Sequence, residues 1–281
     1  MGKRLLSMWL VLASSLALAA PPDPARIDEL MHKSGLWTQV GAMQEQVRAG
    51  SSAARRQERS VGPQAMTEAE FEKLAAVTEA AFAPERARKA TAAFLARELS
   101  AEEVDAMLAW LSSPLGERCI RAEEAVAGAD PAALQRDARA VVEALSPQRR
   151  ALLERFVAAV HSDEMAVNMM GNMANAVVYG AAAMTPGDDA DEAIRLVKKK
   201  AEANRPRLIA FFREFMFAQA AWTYRELADE DLERYVTFNE SPVGRRLNDA
   251  AGRAIDHVVV QAALEIGRSI GADAGRKARR S

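Results

Sequence analysis

The sequence predicts an all-α protein, a helical bundle built from two tandem copies of a multi-helix unit. Three observations carry that expectation. Helix-start signals recur along the chain, no run shows the strict two-residue alternation of a strand, and one stretch of sequence repeats itself 128 residues later. At 281 residues, 49% hydrophobic and 27% charged, the chain is long enough for one large or two ordinary domains. Its net charge of -2 gives no electrostatic reason to expect nucleic acid or an anionic membrane as partner. One cysteine cannot close an internal disulfide, and three histidines leave little imidazole for metal or acid-base chemistry.

Residues 1–19 have the form of a secretory signal peptide. Lys3 and Arg4 precede an apolar run over 5–18, and Ala17-Leu18-Ala19 offers the small residues a signal peptidase reads. The run is short for a bilayer span of about 20 residues, and no cysteine follows it to take a lipid. Cleavage after Ala19 takes the formal charge from -2 to -4 and leaves no transmembrane anchor. The expected location is periplasmic or secreted.

The first helical repeat is expected over 20–127. Asp23-Pro24 opens a short helix ending near Gly35, and a second run follows from Leu36 to about Arg48. Residues 50–63 lack an apolar period and read as a solvated loop. Thr67 with Glu70, and Ser100 with Glu103, form capping boxes, and Pro84 suits the first turn of the helix between them. A connecting helix is expected within 128–146, because Asp130-Pro131 and Ser146-Pro147 both place a cap residue before a proline at the first helical position.

The second repeat is expected over 147–270. From Met165 to Met184 no charge occurs, yet Asn168, Asn172 and Asn175 make a poor lipid-facing helix, so 147–184 reads as a long buried helix. Thr185-Pro186-Gly187 ends it. Asp188, Asp189, Asp191 and Glu192 then crowd a helix start, where carboxylates suit the positive end of the dipole; EF-hand glycine and glutamate spacing is lacking. Lys198, Lys199 and Lys200 read as a solvated face, Pro206 as a kink or restart, and 271–281 as a basic tail, frayed beyond Gly275.

Shifting the chain by 128 lays Arg97-Glu98-Leu99 on Arg225-Glu226-Leu227, Glu102 on Glu230, Ser113-Pro114 on Ser241-Pro242, Gly116 on Gly244 and Arg118 on Arg246. Eight of 22 gapless positions are identical, and Glu103/Asp231 and Trp110/Phe238 are conservative exchanges. The acidic helix start, the aromatic near the helix end, then Ser-Pro-x-Gly and a basic residue resemble the hallmark of domain-of-unknown-function family 2059, found in exported bacterial proteins. The resemblance implies location and fold but no activity, since the family has none established.

These motif residues explain themselves as structure. Val104, Met107, Leu108 and Leu111 form the apolar stripe of one helix. Ser113 and Ser241 cap the next helix ahead of Pro114 and Pro242, and Gly116 and Gly244 allow close approach at the bend. Arg118 and Arg246 are expected to reach back to Glu102 and Glu230 within their own copies.

No hydrolase, nucleotide or paired-cysteine signature occurs, so no catalytic residue and no cofactor is assigned. His161, Met165, Met169 and Met173 recur every four residues and offer the soft donors Cu(I) takes, against the plainer reading of methionine as core filler. The expected role is non-catalytic, an envelope interaction or structural protein whose partner would be another envelope protein, with Trp110 and Phe238 as candidate contacts. The alternative is a carrier holding an apolar small molecule or lipid in an inter-helix groove. Cys119 falls opposite Leu247 in the repeat, which favours a buried apolar role over a reactive thiol.

Overall fold

A computed structural model describes residues 20–58, 67–127, 131–184 and 188–278; among them every regular element is an α-helix. The signal-like segment, Asp130 and Thr185-Pro186-Gly187 lie outside the described residues. The helices are α1 (Pro24–Lys33), α2 (Leu36–Glu58), α3 (Glu68–Ala81), α4 (Pro84–Glu98), α5 (Ala101–Leu111) and α6 (Pro114–Ala127). They continue with α7 (Pro131–Glu143), α8 (Pro147–Val160), α9 (Ser162–Ala182), α10 (Asp188–Thr223), α11 (Asp229–Glu240) and α12 (Pro242–Ala278).

The start signals act as the sequence predicts. Asp23 accepts the Ala25 amide, Ser146 accepts the Arg149 amide ahead of Pro147, and both capping boxes close reciprocally. Three expectations are corrected. Helix α2 runs on to Glu58, through 50–58 of the segment expected to be a loop, because its alanines, arginines, glutamine and glutamate favour helix without any apolar period; 59–63 lie outside the described residues. The long helix expected over 147–184 breaks at His161, whose backbone is left-handed at φ 47°. Its second part, α9, is only partly buried: Asp163, Val167, Ala176 and Gly180 face inward while Met170, Met173 and Tyr179 are exposed. Of the two outcomes expected at Pro206, a kink or a restart, the restart does not occur, since α10 continues through it; Pro206 and Glu202, one turn before it, are exposed, so water can serve the carbonyl the proline leaves unbonded.

The main core draws on both predicted repeats. Ile27, Leu30, Met31, Leu95, Met107 and Leu111 pack in one cluster with Leu153, Phe156, Leu232 and Val236. Helix α12 lies along α9 at backbone contact: a Cβ on Gly267 would strike the Val177 carbonyl, and one on Gly180 the Leu264 carbonyl. Its last turns, helical to Ala278, are tied to α3 and α4 by Lys73–Asp273 and Arg86–Glu265.

Candidate functional site

The two helix-bend-helix segments, α5–α6 and α11–α12, face one another. In each the serine caps the bend: Ser113 Oγ accepts the Gly116 amide and Ser241 Oγ the Gly244 amide, both at 3.1 Å. Side chains on Gly116 or Gly244 would collide with the carbonyl of Trp110 or Phe238, so both bends are tight enough to require glycine. Pro114 and Pro242 open the helices that follow.

Across the seam the contacts are reciprocal. Trp110 stacks on Phe238, its counterpart in the repeat, with ring centroids 3.8 Å apart and planes 8° apart. Arg118 Nη2 lies 2.5 Å from Asp231 Oδ2, and Arg246 Nε lies 2.8 Å from Glu103 Oε1, the counterpart of Asp231. The second guanidinium also donates to the Glu98 carbonyl. Such an exchange, in which i meets j and j's counterpart meets i's, is the contact pattern of a two-fold interface.

The expected pairs within each copy do not form. Glu102 and Glu230 are exposed, one residue round the helix from the acids that are used, and the arginines cross to the other bend instead. Burial pushes the Glu103 carboxyl up, but the Ser100 amide and Arg246 outweigh it and hold it below the ordinary glutamate range. Trp110, half-buried, and Phe238, buried, stack on each other.

Behind the stack lies a polar centre that sequence reasoning missed. Glu123 Oε1, on α6, accepts the hydroxyls of Tyr224 at 2.8 Å and Tyr235 at 2.5 Å, both from the second half. Phe156 and Trp110 pack on Tyr235, and Cys119 is fully buried nearby. Burial drives the Glu123 carboxyl above its ordinary range, an effect the two tyrosine bonds only partly oppose. Burial and the neighbouring Glu123 push the Cys119 thiol up to about 12, and the same two causes raise both phenols. Burial thus shifts the carboxyl, the thiol and both phenols toward their protonated forms. The only sequence signal for it was Glu123 itself, an acid between Ile120 and Val126 on the helix after the first bend.

The methionine series diverges. Met165 lies against Gly252 of α12 and Met169 against the Phe82–Val259 cluster, whereas Met173 is exposed. Of the histidines, His32 stacks on Trp37, His257 tilts against Phe94, and His161 marks the α8–α9 break. Among the described residues no cluster of three or more His, Cys, Asp and Glu could hold a metal, and no helix is long and apolar enough to cross a membrane. A cleft of about 270 Å³ opens between α2 and α3, lined by Val47, Phe71, Ala75 and Thr78 with Arg48 and Glu79.

Residues 85–144 match a family model described as an uncharacterized protein conserved in bacteria. The match spans the first bend and stops short of the second. No curated protein and no solved structure matches the chain.

Proposed function

From the match of residues 85–144 to DUF2059, an uncharacterized family conserved in bacteria, we propose an exported protein that acts without catalysis, by docking to another component of the bacterial envelope. The second bend is, in this reading, a diverged copy of the first, retained because the two lock each other. One observation carries the proposal: the aromatic and ionisable groups of the seam are turned on each other, while large apolar side chains stand exposed on α9 and α10. Phe211 is 60% exposed, with Phe215 at 42% one turn along the same face, and grouped exposed apolar side chains mark interaction surfaces.

Export is supported by the junction at Ala20. Its carbonyl accepts the Ala101 amide and Pro22 is buried, so a chain beginning at Ala20 keeps its first contacts with the fold. The carrier reading gains less, since the two hollows beside α3, about 270 and 350 Å³, stand at the low end of the roughly 300–1,000 Å³ usual for ligand pockets, and the larger is lined by Glu68, Glu72 and Glu79 as well as Phe71 and alanines.

Expression of the full chain in a bacterium, with osmotic-shock fractionation and intact mass, tests the proposal. The expected product is a chain starting at Ala20 in the periplasmic fraction, giving photo-crosslinks from a probe at position 211 and none from one at 110. Full-length protein confined to the cytoplasm contradicts it. A small molecule released only on denaturation replaces docking with carriage.

A further inference from the structure

The outer face of α10 carries a line of exposed side chains with cations at its middle and apolar groups at its ends. Leu196, Lys200, Asn204, Arg207, Phe211 and Phe215 follow at steps of four, four, three, four and four, which keeps them on one side of the helix. All six are exposed, Phe211 at 60% and Phe215 at 42%. Lys199 stands beside this line and Glu214 lies on it, whereas Lys198 and Arg205 point from the opposite side of the helix toward α9. Lys198 meets the Tyr179 hydroxyl and Arg205 the Asn168 amide oxygen, both uncharged.

Charge pairing sets this face apart. Several arginines outside α10 find carboxylates, as Arg155 does with Glu240 at 2.8 Å. Among the described residues none of Arg195, Lys198, Lys199, Lys200, Arg205 and Arg207 has a carboxylate within ion-pair distance. Glu202 and Glu214 are the acids on the same stretch. The small net charge of the whole chain thus conceals a local cationic strip.

We propose that this face of α10 docks on an anionic phospholipid surface, with Lys200, Arg207 and their neighbours at the headgroups and Leu196, Phe211 and Phe215 dipping below them. A cationic helix with phenylalanine and leucine among its charges has the chemistry of an interfacial helix lying in the plane of a bilayer. A fluid headgroup layer fits better than a folded acidic protein, because a single convex helix offers no pocket and lipid demands none. The inference rests on the docking reading and names its partner.

Co-sedimentation of the mature chain, residues 20–281, with vesicles tests it. Binding is expected to phosphatidylcholine vesicles containing phosphatidylglycerol and not to phosphatidylcholine alone, weakening as salt screens the charges. Lys200→Glu with Arg207→Glu is expected to weaken it by about tenfold or more, and Phe211→Ser with Phe215→Ser to do so without altering the salt dependence. These sites are exposed, so the thermal melt should stay unchanged and show that the variants fold. Equal binding to neutral vesicles, no binding to either, or indifference to the charge reversals overturns the proposal. Binding to polyglutamate but not to anionic vesicles would put an acidic protein in place of lipid. Failure here with the mature chain still periplasmic removes the lipid partner alone, whereas cytoplasmic retention removes the docking reading beneath it.

Discussion

The guanidinium of Arg246, on the helix after the second bend, lies 2.8 Å from the carboxylate of Glu103, in the first turn of the helix before the first bend. Glu103 is thereby used twice, since the same carboxylate closes a capping box on the Ser100 amide at 2.8 Å. Both partners remain about one-third exposed, which limits what the pair contributes. A double-mutant cycle of Glu103→Gln and Arg246→Met, followed by chemical denaturation, should give a coupling of about 0.5–1 kcal/mol. Because the folded Glu103 carboxyl sits below its ordinary 4.5, its stabilisation is present above that value and lost as pH falls through the folded one. The coupling should therefore disappear in acid; a coupling independent of pH would remove the ionic account.

The glycines give an opposed pair of outcomes. Gly244→Ala drives a methyl into the Phe238 carbonyl and should cost about 1–3 kcal/mol. Gly171→Ala, in α9 with nothing within 4 Å, should stabilise by about 0.5–1 kcal/mol through helix propensity. Equal melting shifts in the two variants would show that the second bend is not tightly closed.

Glu123 supplies a pH signature of opposite sign to Glu103. Its carboxyl is raised in the folded chain, so the folded state holds the proton more tightly than the unfolded one. Stability is then full below the ordinary value of 4.5 and falls as pH rises from there through the raised value. Glu123→Gln keeps an oxygen for Tyr224 and Tyr235 without the charge. Its melting temperature at neutral pH should rise by about 2–4 °C, the shift that about 1 kcal/mol gives in a domain of this size. A lower melting temperature at neutral pH would show that the charge itself is favourable there.

Cys119 should be inert in the native protein. With no exposed surface and its thiol pushed up to about 12, it should titrate with a thiol reagent only after denaturant is added. Rapid labelling of native protein would place it at an open surface.

The fold was legible in the sequence wherever a local rule decides. Capping boxes, prolines at first turns and the Ser-Pro-x-Gly bends depend on neighbours within four residues, and each stands where it was read. The Gly50 segment was misread because a helix can persist on propensity alone, which apolar periodicity does not register. The arginine partners were misassigned for a different reason: Arg118 and Arg246 choose acids more than a hundred residues away, and only the facing of the two bends sets that choice. Conservation of acid at Glu103 and Asp231 in the repeat was the one trace of it. Glu123 left almost no trace, since its two tyrosines come from α11 and the region just past the end of α10.

That the two bends close on each other is tested most directly at Trp110 and Phe238. In a nuclear Overhauser spectrum of the mature chain, with Trp110 assigned by Trp110→Phe, the indole protons should show strong cross-peaks to the Phe238 ring and ring-current shifts, as rings 3.8 Å apart require. Indole protons at unfolded-chain shifts with no cross-peak to Phe238 would contradict the reciprocal seam.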